Sequence, residues 1–497
     1  MKLSRVGKSA LPLAFCLGVL FGVVVINFLC LAIPPFLFAL AFGLALVLSL
    51  IVHRKVLLSI LMATSIGLLS GGFRAAQLVE SNQYLQQSIG FVTITGTVEE
   101  DSMVKNGETR VVINDLSLAN DKPVIRSRIY LILSDNRELN RSDRITLQGN
   151  LQPGFGVYAG FIWHPAVVAV DKPDPPDYAL SLRHAFSHQI SQLLPNELQA
   201  KLALGYLLGQ KTASTDFDDK LKIVGLSHIV VASGYNLSIL VDFSKKKFGK
   251  ISRFATLAGA SIFLVFFISI TGCSASMIRA GIIAGLSLFA WYFGRHFHPA
   301  RIILYAVAIT LLCNPGYIQD LGWWLSFAAY AGIMFISPLI TSYLYGEQKP
   351  SAVSDMTIQS IAAQMMCLPI SIYSFGYFSV LGVFAGLIIM PMIPLMMLFS
   401  FILGLFGLFI GGLFPLLGWS WLAVPLRLSY ELHILVVETL SKIPWGTFEL
   451  GAQNSQIFLL YLPIIALAVT LWRKTQYRFW HLTGSRQKQK YGKIYAC

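Results

Sequence analysis

Ala10-Leu-Pro-Leu-Ala-Phe-Cys-Leu-Gly-Val-Leu-Phe-Gly-Val-Val-Val-Ile-Asn-Phe-Leu-Cys-Leu-Ala-Ile33 contains no charged residue. About 20 apolar residues suffice to cross the hydrocarbon of a bilayer. Lys2, Arg5 and Lys8 precede the run, as in a secretory leader. The run is too long for a cleavable leader, however, and a second apolar run follows at once, so it reads as a retained membrane helix. Composition extends this reading to the whole chain. Its 497 residues are 55% hydrophobic and 12% charged, against about 25% charged in soluble domains. The fold class is a polytopic α-helical membrane protein.

One segment departs from that composition. Between Glu80 and Asp177 there are 13 acidic and 9 basic residues, a net of −4, while the whole chain carries +14. Within it, Val92, Ile94 and Val98, then 110–113, 128–133, 144–148 and 166–170, alternate as strands do. Asn106-Gly107 between two of them is a hairpin signal. Five short strands predict a small closed barrel of OB type, and a Greek-key sandwich would show the same pattern.

The remaining apolar runs predict spans at 10–33, 36–52 and 56–72 before the barrel. After it come 229–243, 254–271, 276–293, 302–312, 322–340, 358–375, 380–398, 401–421 and 457–472, about twelve in all. Basic clusters at His53-Arg54-Lys55, at Lys245 to Arg253, at Arg295 and Arg301, and after Trp472 all fall on one side of this arrangement. The positive-inside rule puts that side, and both termini, in the cytoplasm and the barrel outside. The expected organisation is three N-terminal helices (1–75), a β domain (85–173), amphipathic interfacial helices (178–225), a membrane domain (226–472) and a basic tail (473–497). In the third part Leu182, Phe186, Ile190 and Leu193 recur at helical spacing, with Arg183 assigned to another face. Residues 427–443 read as amphipathic, because Glu431, His433, Glu438 and Lys442 interrupt them.

Polar groups inside apolar runs are the candidates for function, since they are costly in lipid. His228, Ser233, Gly234 and Asn236 cluster at the outer end of one span. Spacing alone leaves open a polar lining for a solute path and a locally bonded helix end. Arg279 lies a few residues into the next span but one, where it either snorkels to headgroups or faces an anion. Asp320, in the loop before a later span, either pairs with Arg279, caps the helix near Gly322, or does both. Pro369, Pro391 and Pro394 mark kinks or broken helices. Trp323-Trp324 reads as an interface anchor. The six cysteines show no paired spacing, and no P-loop, metal-protease histidine motif or paired-carboxylate site is visible. His296-Phe-His298 is an isolated pair ended by Pro299. Neither a cofactor nor a metal is expected.

Four blocks in order resemble the ComEC family of competence membrane channels. His228 to Ser233-Gly234 is similar to its H-x-x-x-x-S-G signature, and Ser276-Met-Ile-Arg279-Ala280 to its S-x-x-R-A block. Asp320-Leu-Gly-Trp-Trp-Leu-Ser-Phe327 resembles D-x-G-x-x-L-S-F, and Pro369, Phe375-Gly376, Pro391 and Pro394 follow its late proline pattern. Asn236 stands where many relatives carry a second histidine. The chain resembles a short form without the C-terminal metallo-β-lactamase-like domain of long relatives, so no nuclease, and no enzyme activity, is expected.

What the resemblance implies is a channel in the cell membrane that imports single-stranded DNA during natural transformation. The implied partners are the strand itself, membrane lipid, and other DNA-uptake proteins, including a separate motor or DNA receptor; a homo-oligomer is compatible. His228, Ser233, Gly234, Asn236, Arg279 and Asp320 would line the path. Arg126, Arg128, Arg137, Arg141 and Arg144 would contact DNA on the barrel through phosphates. Stacking candidates there are sparse: Phe91, Tyr130, Phe155, Tyr158, Phe161 and Trp163. The rival reading is a transporter or exporter of a small anionic solute, with the barrel as an assembly module; a membrane scaffold with no conduit is a third.

Overall fold

The computed structural model describes residues 2–29, 55–105, 107–118, 127–194, 196–210, 215–226, 237, 241, 244–245, 248–249, 252–272, 275–294, 299–346, 348–410, 423–443, 446–449 and 455–475. They fall into two units, residues 1–180 with 296–320, and residues 181–295 with 321–497.

In the first unit, α1 (Lys2–Leu29) and α2 (Lys55–Gln87) pack against each other in the most extensive helix contact among the described residues. Two glycine pairs explain it. A Cβ on Gly71 would lie 2.5 Å from the Val19 carbonyl oxygen, and one on Gly67 would lie 2.9 Å from the Phe15 carbonyl carbon. Gly18 and Gly22 stand in the same way against the backbone of residues 64–72. Small residues four apart let helix backbones touch, which is the main source of attraction where lipid removes the hydrophobic drive.

From α2 the chain enters the β domain: β1 (Gly90–Val98), β2 (Met103–Lys105), β3 (Glu108–Leu118), β4 (Ile129–Leu133), β5 (Arg144–Pro153), β6 (Gly160–Trp163) and β7 (Ala166–Asp171). Five of these close a barrel in the order β1-β3-β4-β6-β5, with β5 returning to β1. Every pair is antiparallel except β4 with β6. The fifth barrel strand is therefore the short β6, which the alternation did not reveal. β7, expected in that place, pairs only with β5 and is an addition to the barrel. Lys105 faces Glu108 across the hairpin, and Gly107 takes the φ of +81° that a two-residue turn demands. Inside lie Ile94, Val98, Val111, Ile113, Ile129, Leu131, Ile145, Leu147 and Ile162, closed at one end by Leu85 of α2. Each such side chain contributes about 1.5–3 kcal/mol on burial. Helix α8 (Pro299–Cys313) also belongs to this unit and packs on α1.

The second unit is helical: α3 (Tyr178–Leu193), α4 (Glu197–Leu208), α5 (Thr215–Val224), α6 (Arg253–Thr271), α7 (Ala275–Tyr292), α9 (Leu321–Ala331), α10 (Ser337–Tyr345), α11 (Ala352–Phe375), α12 (Leu381–Ile389), α13 (Ile393–Ile410), α14 (Val424–Leu440) and α15 (Tyr461–Lys474). A π-helical turn at Gly332–Ile336 joins α9 to α10. There the helix lies against α11 so closely that a Cβ on Gly332 would sit 2.8 Å from the Ala362 carbonyl carbon.

Among the described residues six helices are long and apolar enough to cross a membrane: Ala10–Leu29, Ser59–Gln87, Arg253–Thr271, Leu321–Tyr345, Val353–Phe375 and Ser455–Lys474. Three shorter apolar helices join them, Ser276–Tyr292, Ala300–Cys313 and Ile393–Leu408. The expected spans at 36–52 and 229–243 lie outside the described residues. Those expected at 380–398 and 401–421 are drawn differently. The helix stops at 390–392 and restarts as α13, which runs through Phe401 without a break. Pro391 accounts for the stop, because it lacks an N–H and its ring clashes with a carbonyl one turn back. Pro394 falls in the first turn of α13, where no donor is lost. By contrast Pro369 stays within α11.

Helix α3 is a core element. Phe186, Ile190 and Leu193 are buried, Phe186 against the face of α13 that Gly404 opens. The rings of Phe186 and Phe401 stack at 6.4 Å. Arg183 is buried on the same face rather than set apart from it.

Candidate functional site

His228, Ser233, Gly234, Asn236 and Arg126 lie outside the described residues. The other sequence-selected positions occupy two separate places, one in each unit.

In the helical unit, Arg279 stands in the second turn of α7 with only 2% of its surface exposed. Its Nη2 donates to the Gly322 carbonyl in the first turn of α9, at 2.8 Å. The side chain is therefore turned inward, buried, and ties α7 to the start of α9 rather than lying along the surface as a snorkelling arginine would. The S-x-x-R-A and D-x-G blocks are thus brought together through a backbone carbonyl. Trp323 beside it is buried at 2% exposure, packed on Phe327 at 4.8 Å, so only Trp324 keeps the character of an interface anchor.

A second polar cluster lies in the same unit, of which only His433 stood out in the sequence, as an interruption of an apolar run. The Tyr206 hydroxyl of α4 is hydrogen-bonded to His433 Nδ1 of α14 at 3.1 Å. One turn away, Tyr430 meets Ser400 of α13 at 3.1 Å, and the Tyr206 and Tyr430 rings stack at 6.5 Å. All four residues are fully buried. Nearby, Arg427 donates Nε and Nη2 to the Leu193 carbonyl at 3.1 and 2.8 Å. A guanidinium there satisfies an orphan carbonyl at the C-terminus of α3. The segment 427–443, read as amphipathic, therefore falls mostly in α14, which packs on α4 and α13 and is bonded to the end of α3.

In the barrel unit, three of the selected arginines are engaged in local pairs. Arg128 pairs with Glu99 and lies over the Tyr317 ring, 5.7 Å from its centre. Burial pushes the Glu99 carboxyl above its ordinary value, against the pull of Arg128. Arg137 pairs with Asp135 at 3.3 Å. Arg141, buried, donates Nε to Asp177 at 3.0 Å. Asp177 also accepts from the Leu180 amide and the Ser142 hydroxyl. Burial opposes its charge, but these donors together hold the Asp177 carboxyl below the ordinary range. Arg144 opens β5 on its exposed side, opposite Asp171 and Thr97.

Asp320 ends the turn Pro315–Gln319 in an extended conformation, φ −82° and ψ 117°, directly before α9. The turn belongs to the barrel unit. Arg74 of α2 donates to the Leu312 and Cys313 carbonyls at 2.9 Å each, closing the end of α8. Asp320 adds to the negative field at Arg128. The 314–320 loop is thereby fixed by α2 and by the barrel.

The stacking candidates, scattered in sequence, are gathered by the fold. Tyr130, Phe155, Tyr158 and Phe161 form one set of ring contacts with centroids 5.1–6.1 Å apart. Trp163 extends it from Phe161 at 5.9 Å, while Phe91 stands apart on β1. Among the described residues no group of three or more His, Cys, Asp or Glu is placed to hold a metal ion.

Long apolar helices with an internal arginine tie, and an inserted closed β-barrel, define a multi-pass membrane protein with a small β domain. The pattern of the family described as Competence protein matches residues 206–475, more than half of the chain, and the chain belongs to that family. Over 201 residues it is 26% identical to ComE operon protein 3 of Bacillus subtilis (strain 168), which covers 40% of this chain and 25% of that protein. The match thus spans about a quarter of the relative's length. No solved structure matches the chain.

Proposed function

We propose that this protein is a conduit for single-stranded DNA across the cell membrane during transformation. Family membership over residues 206–475 is the observation that carries the reading. The barrel supports it. Renumbered in order, its five closing strands run 1-2-3-5-4-1 with the third and fifth parallel, the arrangement of an OB barrel, a fold used for oligonucleotides and oligosaccharides. In this reading the β domain lies outside the membrane and receives the strand. The membrane domain passes it, with Arg279 acting as a tie that holds α7 and α9 in register and the His228–Asn236 segment contributing polar groups to the path. A polyanion needs a polar path through hydrocarbon, and buried hydrogen-bonded side chains of the kind found at Arg279 and His433 let polar groups persist there at low cost. The driving force comes from a separate motor, a partner class the uptake machinery would supply.

The test is import of fluorescent or radiolabelled DNA into the cytoplasm of a deletion strain and of the same strain carrying the gene. Import lost in the first and restored in the second supports the reading. Normal import in the deletion strain, with an anionic metabolite accumulating or failing to leave, would favour the small-solute transporter.

A further inference from the structure

The ring cluster on the barrel has a defined setting. Tyr130 alternates with the buried Ile129 and Leu131, so it faces outward from β4. Its partner in the parallel pairing is Phe161, and Ile132 is paired with Trp163. On the other side Phe161 is paired with Gln152 of β5. Residues paired in register share a face, so one surface carries rings on β4 and β6 and amides on β5. Gln148, Asn150 and Gln152 are exposed on that strand, with Arg144 exposed at its start on the same face. The loop between β5 and β6 adds Phe155. Gly156 supplies a φ of +58° that turns the loop back, and the Tyr158 amide bonds to the Phe155 carbonyl at 3.1 Å. Phe155 then lies edge-on to Tyr130 at 5.8 Å.

Two of these rings are strongly solvent-exposed, Phe155 at 55% and Trp163 at 51%. They are aromatic, clustered and supported from below by Tyr130 and Phe161, whereas apolar side chains not needed for the core are more often scattered singly. Resting on the conduit reading, we infer that this face is where the barrel takes hold of single-stranded DNA, by stacking bases on Phe155 and Trp163 while the Gln148, Asn150 and Gln152 amides meet base edges. The sequence reading assigned that role to arginines and phosphates. In the structure Arg128, Arg137 and Arg141 are each paired with a carboxylate of the same unit, while the Phe155 and Trp163 rings are exposed.

The chemistry of the face selects its occupant. Every base has a π-face, and an amide donates and accepts at base edges. A lipid surface would have to desolvate Gln152, His164 and the Glu108 carboxylate, which lies 3.6 Å from His164 Nε2. Phe155 also lies on the loop between the fourth and fifth barrel strands, one of the loops that carry ligands in OB barrels.

Full-length protein in lipid nanodiscs, titrated with a fluorescent 20-nucleotide oligo-dT and followed by anisotropy, tests this. Phe155→Ala and Trp163→Ala should each weaken binding about fivefold or more. An abasic oligomer of the same length should bind at least as poorly as either variant. Raising salt from about 50 to 200 mM should change affinity only a few-fold, because few phosphates are neutralised. Equal binding of the abasic oligomer, a steep salt response, or unchanged binding in both variants would overturn the inference. So would variants that lose quenching by brominated lipid or binding of a chitooligosaccharide while keeping the oligonucleotide. Both positions are exposed, and unaltered thermal melting of the variants excludes misfolding as the cause. The two readings fail separately. Ring variants that bind and import DNA normally, in a strain whose deletion blocks import, remove this inference and leave the conduit. A deletion strain that imports normally removes the conduit, whatever the oligonucleotide does.

Discussion

Replacing Gly67 by alanine tests how the N-terminal helices are joined. The added Cβ would come 2.9 Å from the Phe15 carbonyl carbon and 3.0 Å from the Val19 nitrogen, with the Phe15 oxygen closer still. Ordinary contact begins near 3.4 Å, so α1 and α2 must part by about 1 Å along a seam of backbone atoms that cannot rotate away. Overpacking of this kind costs about 1–3 kcal/mol. Gly18 and Gly67 lie at one crossing, so the double alanine variant should cost less than the sum of the two, since the first substitution already separates the helices. Gly259 in α6 and Gly285 in α7 are the controls, because a Cβ at either meets nothing within 4 Å. Alanine there should be neutral or stabilise by up to about 1 kcal/mol through helix propensity. Thermal melting of the full-length protein in one detergent reads all five variants. A Gly67→Ala melt that matches Gly259→Ala would refute the backbone seam.

Arg279→Ala should lose a charged hydrogen bond to the Gly322 carbonyl, about 1.5–3 kcal/mol, lowering both the melting temperature and DNA import; Arg279→Lys should recover part of each, since it keeps the charge but not the fork. A melt unchanged by Arg279→Ala would show that α7 and α9 are not held through this side chain. Asp177→Asn should destabilise by about 2–3 kcal/mol. Because its folded carboxyl is held below the ordinary aspartate value, that contribution is complete above about pH 3.9 and is lost as pH falls through the depressed value. An acid-unfolding curve of the variant that superimposes on the parent would contradict this. In a cysteine-free background, an impermeant thiol reagent should label Asn106→Cys in intact cells and Ser485→Cys only after permeabilisation, and the reverse pattern would invert the topology.

The parts of the fold legible in sequence were those carried by local pattern. Length and hydropathy located most of the apolar helices among the described residues, though not the break at 390–392, and alternation located β1, β3, β4 and β5. The barrel's closing strand escaped because Gly160-Phe-Ile-Trp163 is four residues long and follows a glycine-rich loop, too short for a period to register. The stronger alternation of 166–171 took its place in the reading although that strand only flanks β5. The glycine seam was missed although its signal is local: Gly18 and Gly22, and Gly67 and Gly71, are each a small-xxx-small pair inside an apolar run. At Arg279 the residue type and spacing drew attention, but its partner is a backbone carbonyl 43 positions away, which no side-chain pattern encodes. The bond between Tyr206 and His433, 227 positions apart, had no local signal at all. The same holds for the aromatic face, whose rings looked sparse until the pairing of β4 with β6 stacked them.

The central claim is that a single DNA strand passes through the membrane domain beside the His228–Asn236 segment. A photo-crosslinking amino acid placed at Asn236, activated while cells are importing labelled double-stranded DNA, tests it most directly. The account predicts a covalent adduct to one strand, in single-stranded form, that appears only during import and disappears when import is blocked. Adducts at Phe155 or Trp163 on the barrel with none at Asn236, in cells that import DNA at the normal rate, would mean that the strand crosses by another route.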